Sequence, residues 1–278
     1  MTPAERRFEA WVAPARARAE LWRTAAGFAL AFAVWLATAL ALALLLDPAG
    51  PKAAALLYLL SFAGMVGGLA LALRLLHRRP LASLVAPQGL AMRRLATGVA
   101  VAGGVGLATS IPVALAAGAQ VRGGLLVWIG GAAAVLPAVA LQAGAEELLF
   151  RGYLQQQLAA RFRSRLVWML APAVGFGALH FDPSLGANAG LLVAAAALIG
   201  LAYGDVTARE GDLSPAIGLH IANNAVAILF APPAGPLDAF GLWAPAPPGG
   251  PGEVTVGILG SMAVTLVVWG AYCALRRG

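Results

Sequence analysis

Three short stretches of an otherwise apolar chain carry side chains that can do chemistry. The stretch AEELLFRGYL holds Glu146, Glu147 and Arg151. Glu147 and Arg151 stand four residues apart in the order that pairs favourably on a helix. Glu146 is rotated about 100° from Glu147, so one carboxylate can be paired while its neighbour stays free. Taken alone, this is equally an ion pair where a helix leaves a bilayer. The stretch FGALHFD sets Phe176 and His180 one turn apart, and a lone histidine on an apolar helix is often only an interhelical hydrogen bonder. HIANN sets His220 and Asn224 four apart on one face. Asp212, Ser214 and Pro215 before them suit a helix start. Helix–helix adhesion is the plain alternative for that pair.

Together, a free carboxylate, two histidines and an amide suit activation of water and stabilisation of a tetrahedral oxyanion. A carboxylate kept from water is a stronger base, and histidine can share the water or shuttle its proton. His and Asn donors can stabilise an oxyanion by about 3 kcal/mol each. The reaction class is amide hydrolysis. The same groups could instead hold a metal such as zinc through Glu146, His180 and His220, with a metal-bound water as nucleophile. No H-E-x-x-H pair, serine nucleophile elbow or pair of intramembrane aspartates accompanies them. Metal-free and metal-dependent hydrolysis both stay open.

The elements that position these residues are membrane helices. The chain has 278 residues, 60% apolar and 11% charged, against about 25% charged in soluble domains. An ordinary soluble fold and a disordered chain are both excluded. Eight uncharged or nearly uncharged runs, at 24–46, 53–73, 95–121, 123–145, 166–181, 183–204, 213–237 and 254–275, predict an all-α, polytopic bundle of about eight transmembrane helices. Pro112 should shorten the third. Of 19 basic residues, 17 fall in alternate loops and the termini, and only Lys52 and Arg122 on the other side. The positive-inside rule then places both termini in the cytoplasm. The basic pI reports orientation, with no nucleic-acid partner. The single Cys273 excludes an intramolecular disulfide or a thiolate zinc site. Residues 1–23 read as a basic cytoplasmic segment and the first run as a retained anchor, too long for a signal core. Residues 24–278 read as one transmembrane domain without internal repeat, and 231–252 as a Pro/Gly-rich outer loop.

The three stretches meet only if the fourth span continues past Arg151. Leu154, Leu158 and Phe162 recur at four-residue spacing with Gln155, Gln156, Gln157 and Arg161 between them, a helix with one apolar stripe. A turn near Ser164 then brings Glu146 and His180 to within about 3 Å of the same height in an antiparallel hairpin. His220 and Asn224 fall at similar depth, in a cavity opening to the cytoplasm.

The motifs E-E-x-x-x-R, F-x-x-x-H and H-x-x-x-N, in this order at Glu146, Glu147 and Arg151, at Phe176 and His180, and at His220 and Asn224, resemble those of the CPBP intramembrane protease family. That family includes CAAX prenyl endopeptidases of the Rce1 type and bacteriocin-immunity relatives. The resemblance covers about 125–232. It implies Glu146 as general base assisted by His180, His220 and Asn224 as oxyanion donors, and Glu147 with Arg151 as a structural ion pair. It implies an endopeptidase acting on a membrane-anchored or lipidated protein, with no cofactor required, although the family also admits a metal-dependent reading. The Ala, Gly, Arg and Pro content suggests a GC-rich bacterial genome, hence the inner membrane. A non-catalytic immunity or scaffold protein of the same fold is the first alternative. A transporter is the second, and the lack of an inverted repeat weighs against it.

Overall fold

The computed structural model describes residues 1–231, 235–244 and 250–276. Residues 232–234 and 245–249 of the Pro/Gly-rich loop, and residues 277–278, lie outside them. Helix α1 (Pro3–Val12) opens on a capping box: the Thr2 hydroxyl accepts from the Glu5 amide, and the Glu5 carboxylate accepts from the Thr2 amide. Eight further helices follow: α2 (Leu21–Leu45), α3 (Pro51–His77), α4 (Met92–Ala116), α5 (Leu125–Arg161), α6 (Arg165–Ala178), α7 (Ala189–Glu210), α8 (Ser214–Phe230) and α9 (Pro251–Leu275). Among the described residues the only extended pairing is one bridge between Val121 and Trp243.

The fold is all-α, and every apolar run contains a helix, but not every helix has spanning length. Among the described residues, six are long and apolar enough to cross a membrane, counting α7 with the turn before it as Pro183–Glu210. The other two, α6 and α8, have 14 and 17 residues. At 1.5 Å per residue they reach about 21 and 26 Å, short of a hydrocarbon core of about 30 Å. Extended backbone at Phe162 and Ser164 delays the start of α6. Pro215 in the first turn sets the start of α8. Helix α4 ends at Ala116, one turn after Pro112.

The extension of α5 is present and unbroken for 37 residues. It passes Gly152 in a wide π-type stretch, Leu148–Gln155. Ser164 starts α6, as the hairpin requires. The polar side chains of the α5 extension are the buried ones. Gln155, Gln156 and Gln157 are at most 1% exposed, while Leu154 and Leu158 are only half-buried. The glutamines can be inside because each has partners. Gln155 donates to the Gly204 carbonyl at 2.9 Å and Gln156 to the Trp11 carbonyl at 2.7 Å. Gln157 bonds the His77 ring at 2.7 Å. Trp11, wholly buried, donates in turn to the Leu84 carbonyl. The N-terminal basic segment is therefore packed against the α5 extension.

Close helix approach places the site helices. A Cβ on Gly218 of α8 would lie 2.1 Å from the Leu95 carbonyl oxygen of α4, and one on Gly98 of α4 would lie 2.4 Å from that of Pro215. Paired small residues of this kind let membrane helices touch backbone to backbone. Beside the site, one core cluster joins Phe62, Met65, Leu149, Phe150, Tyr153 and Phe176, from α3, α5 and α6. A second joins α4, α7, α8 and α9 around Tyr203, Leu213 and Leu219. On the outside, Leu45 and Leu126 are 80% and 85% exposed, an apolar exterior suited to lipid.

Candidate active site

Four helices supply the site. From α5 come Gln142, Glu146, Glu147 and Arg151; from α6, Phe176, with His180 in the turn just after it; from α7, Tyr203; from α8, His220 and Asn224.

The centre is a wholly buried charge cluster. Arg151 Nη1 donates to Glu147 Oε1 at 2.7 Å, with side-chain exposures of 2% and 0%. His220 Nδ1 donates to that same oxygen at 2.7 Å. The guanidinium lies over the Phe176 ring at 4.4 Å and the Tyr203 ring at 5.8 Å. These faces hold a desolvated cation by their quadrupoles. The Phe176 and Tyr203 rings also stand 5.9 and 5.8 Å from the His220 ring. The expected Glu147–Arg151 pair is therefore present, with an added tie to His220 that the spacing did not foretell. Glu147 Oε2 and Arg151 Nη2 are buried without partners.

Glu146 lies outside this cluster. Its carboxylate retains 14% exposure, and among the described residues its ion-pair contact is with His220 Nε2 alone, at 3.5 Å. That is long for a direct hydrogen bond and suits a water held between the two. With Nδ1 committed to Glu147, a neutral His220 ring offers Nε2 as an acceptor toward that space. A doubly protonated ring offers it as a donor.

Asn224 is held from two sides. Its amide donates to Gln142 Oε1 at 2.8 Å, and its oxygen accepts from Asn223 at 3.1 Å. One N–H of Asn224 remains for another acceptor. Gln142 had a legible signal: it is an amide in an uncharged run, four residues before Glu146 and so on its face. Asn223 acts by orienting its neighbour, and nothing in the sequence singled out Tyr203.

One turn before His180, Phe176 packs at 5.3 Å against Phe150, which stands one turn after Glu146. The facing of His180 differs from the simple convergence. The residue is exposed, its Nδ1 bonds the Phe176 carbonyl oxygen at 2.9 Å, and its ring packs on Phe176 at 4.6 Å. The link from His180 to Glu146 runs through Phe176 and His220. Among the described residues no three His, Cys, Asp or Glu side chains gather to hold a metal. The set Glu146, His180 and His220 does not fit a metal ion as arranged, since His180 stands off the other two.

Residues 125–226 match the family model for type II CAAX prenyl endopeptidase Rce1-like proteins. The chain is 31% identical over 105 residues to the uncharacterized protein YyaK of Bacillus subtilis (strain 168), covering 37% of this chain and 34% of that protein. It thus spans about a third of the length of the curated relative it matches. No solved structure matches the chain. The matched segment runs from the first residue of α5 into α8 and contains every site residue named above, so the likeness to the type II CAAX prenyl endopeptidase Rce1-like family lies in the part of the chain that holds the site.

Proposed function

We propose that the protein is an intramembrane endopeptidase that hydrolyses a peptide bond of a membrane-anchored or lipidated protein. The observation that carries this is the separation of the two neighbouring glutamates. Glu147 is sealed against Arg151 and His220, while Glu146 keeps partial exposure beside His220 Nε2. A general base must reach water, and an orienting group must not move.

In this reading Glu146 takes a proton from the attacking water, whose oxygen adds to the scissile carbonyl. His220 and Asn224 donate to the oxyanion. His220 can donate from Nε2 only while Nδ1 also carries a proton, and Glu147 Oε1 is placed to accept that one. Asn224 uses its second N–H. His180 assists from the turn after α6. Its Nε2 has no hydrogen-bond partner among the described residues, so a change of rotamer can bring it toward the water. No metal is needed for any of these roles. Both termini lie in the cytoplasm, on the side that carries most of the arginines, and the cavity opens there from a bacterial inner membrane.

The test is cleavage of membrane substrates by the reconstituted protein, compared with Glu146→Gln and His180→Ala. Glu146→Gln should lower the rate by about 10²- to 10⁴-fold, the usual worth of a general base, with an unchanged unfolding profile. Undiminished cleavage by that variant ends the assignment and leaves a non-catalytic scaffold or immunity protein of the same fold.

A further inference from the structure

The arginines at the end of α3 stand apart from the site and have no acid to neutralise them. Arg74, Arg78 and Arg79 line one open pocket of about 470 Å³ with Ala70, Pro80 and Leu81. Arg94, Arg151, Arg165, Arg209 and Arg276 each reach a carboxylate. Among the described residues, none of the three pocket arginines does so within 4.0 Å.

The backbone creates this arrangement. Helix α3 closes in a π-type turn, Leu73–His77, and Arg78 takes the left-handed conformation at φ 55° and ψ 42°. Among the described residues it is the only non-glycine with positive φ. Arg74 and Arg78 are left exposed, and Arg79 turns inward to 9% exposure. There Arg79 Nη1 donates to Ser83 Oγ at 3.3 Å and to Gln156 Oε1. Its Nε and Nη2 are buried with no partner. A guanidinium presents five donors in a rigid fork, so a buried cation with uncommitted donors forms part of the wall of a pocket edged by two exposed ones. Burial lowers the Arg79 guanidinium to about 10, still cationic at neutral pH.

We propose that this pocket binds a phosphate group, held by Arg74, Arg78 and Arg79. A phosphate brings the missing charge and several strong acceptors, which three guanidinium groups match. Basic pockets at the ends of membrane helices are suited to such headgroups. Leu71 and Leu75, three residues before and one after Arg74 on α3, are 42% and 60% exposed and would lie along the acyl chain of a phospholipid. The wall is also tied to α5 by Arg79–Gln156, His77–Tyr153 at 2.8 Å and His77–Gln157. A bound headgroup would thus sit on the helix that carries Glu146. The proposal does not depend on the protease reading.

The test measures retention of phosphatidylglycerol by the purified full-length chain in detergent, by native mass spectrometry, with diacylglycerol, which has no phosphate, as the comparison. Arg74→Gln/Arg78→Gln is compared with Arg161→Gln/Arg163→Gln, which removes the same charge from another exposed stretch. The first pair should lower phosphatidylglycerol retention roughly tenfold, and the second should leave it within about twofold of the native level. Arg79→Lys, which keeps the charge and loses the fork, should give an intermediate loss. Displacement of the lipid by millimolar inorganic phosphate would identify free phosphate as a ligand of the pocket. Retained binding in its presence would identify the lipid headgroup. Equal losses from both double variants, no loss from either, or equal retention of the two lipids would overturn the site.

Discussion

Two groups of buried acids in this molecule are neutralised in opposite ways. At the site, Glu147, Arg151 and His220 are all at most 4% exposed, so acid and cations are desolvated together. At the ends of α7 and α8, Asp205, Glu210 and Asp212 are also buried, but their partners Arg94, Arg165, Arg209 and Arg276 are 25–60% exposed. Arg165 and Arg209 both reach Asp205 at 2.5 Å, and Arg276 bonds Glu210 at 2.8 Å. The outer group joins helix ends while its guanidinium groups keep part of their water. The inner group gives up that water, and a fully desolvated pair is a poor way to gain stability. What it provides is a histidine ring held at Nδ1 by a buried carboxylate and flanked by two aromatic rings. Rigidity at the site and adhesion at the helix ends are thus separate uses of the same residue types.

The contrast predicts a descending series of effects. Arg151→Met leaves Glu147 buried with the His220 ring as its remaining partner, and should destabilise the protein by about 3 kcal/mol in denaturant titration. A loss below about 1 kcal/mol would mean that the inner cluster is no different from the outer one. Asn224→Ala should cost about 10²- to 10³-fold in cleavage if it serves the oxyanion, with stability changed by only about 1 kcal/mol. A change in substrate KM alone would move Asn224 from the oxyanion to substrate binding. Arg165→Met, at the outer cluster, should cost no more than about 1 kcal/mol, because Arg209 and the Trp269 indole, at 2.9 Å, still serve Asp205. A larger loss would show that exposed partners matter as much as buried ones.

The smallest effect concerns the turn after His180. Asp182 accepts from the Ser184 amide at 2.9 Å and from its hydroxyl at 2.6 Å, and these bonds hold its carboxyl below the usual range. A depressed folded value stabilises the turn above the ordinary aspartate value of about 4. That contribution is lost as pH falls through the lower folded value. Amide exchange at Ser184 should therefore lose protection only on acidification below about pH 4, and Asp182→Asn should remove that dependence. Protection unchanged across this range would separate the turn from its cap.

Much of the site was legible because charge is rare in this chain. Glu146, Glu147 and Arg151 stood out against apolar neighbours, and helix periodicity alone separated the paired carboxylate from the free one. Counting along a straight hairpin required α5 to run on past Arg151 and the chain to turn near Ser164, and both are present. Which face of the α5 extension is buried was not legible, for a definite reason. A sequence shows that Gln155, Gln156 and Gln157 are polar, but not that the Gly204 carbonyl awaits the first, the Trp11 and Ser83 carbonyls the second and the His77 ring the third. Polar residues with partners can be buried, so amphipathic periodicity there named the faces without telling inside from outside. The shortness of α6 and α8 was likewise hidden in apolar runs that continue beyond the helices.

By itself, the sequence determined that the chain is helical and built for a membrane, which residues could carry a proton, and at what height each would stand. Those properties follow from composition and from rise per residue, which are local. The tertiary structure alone decided that His220 is bound to Glu147, that Asn224 is oriented by Gln142, and that His180 turns to the carbonyl of Phe176. Each depends on the rotation of one helix against another. That rotation is set by close contacts such as Gly98 and Gly218 between α4 and α8, far from the residues whose chemistry it governs.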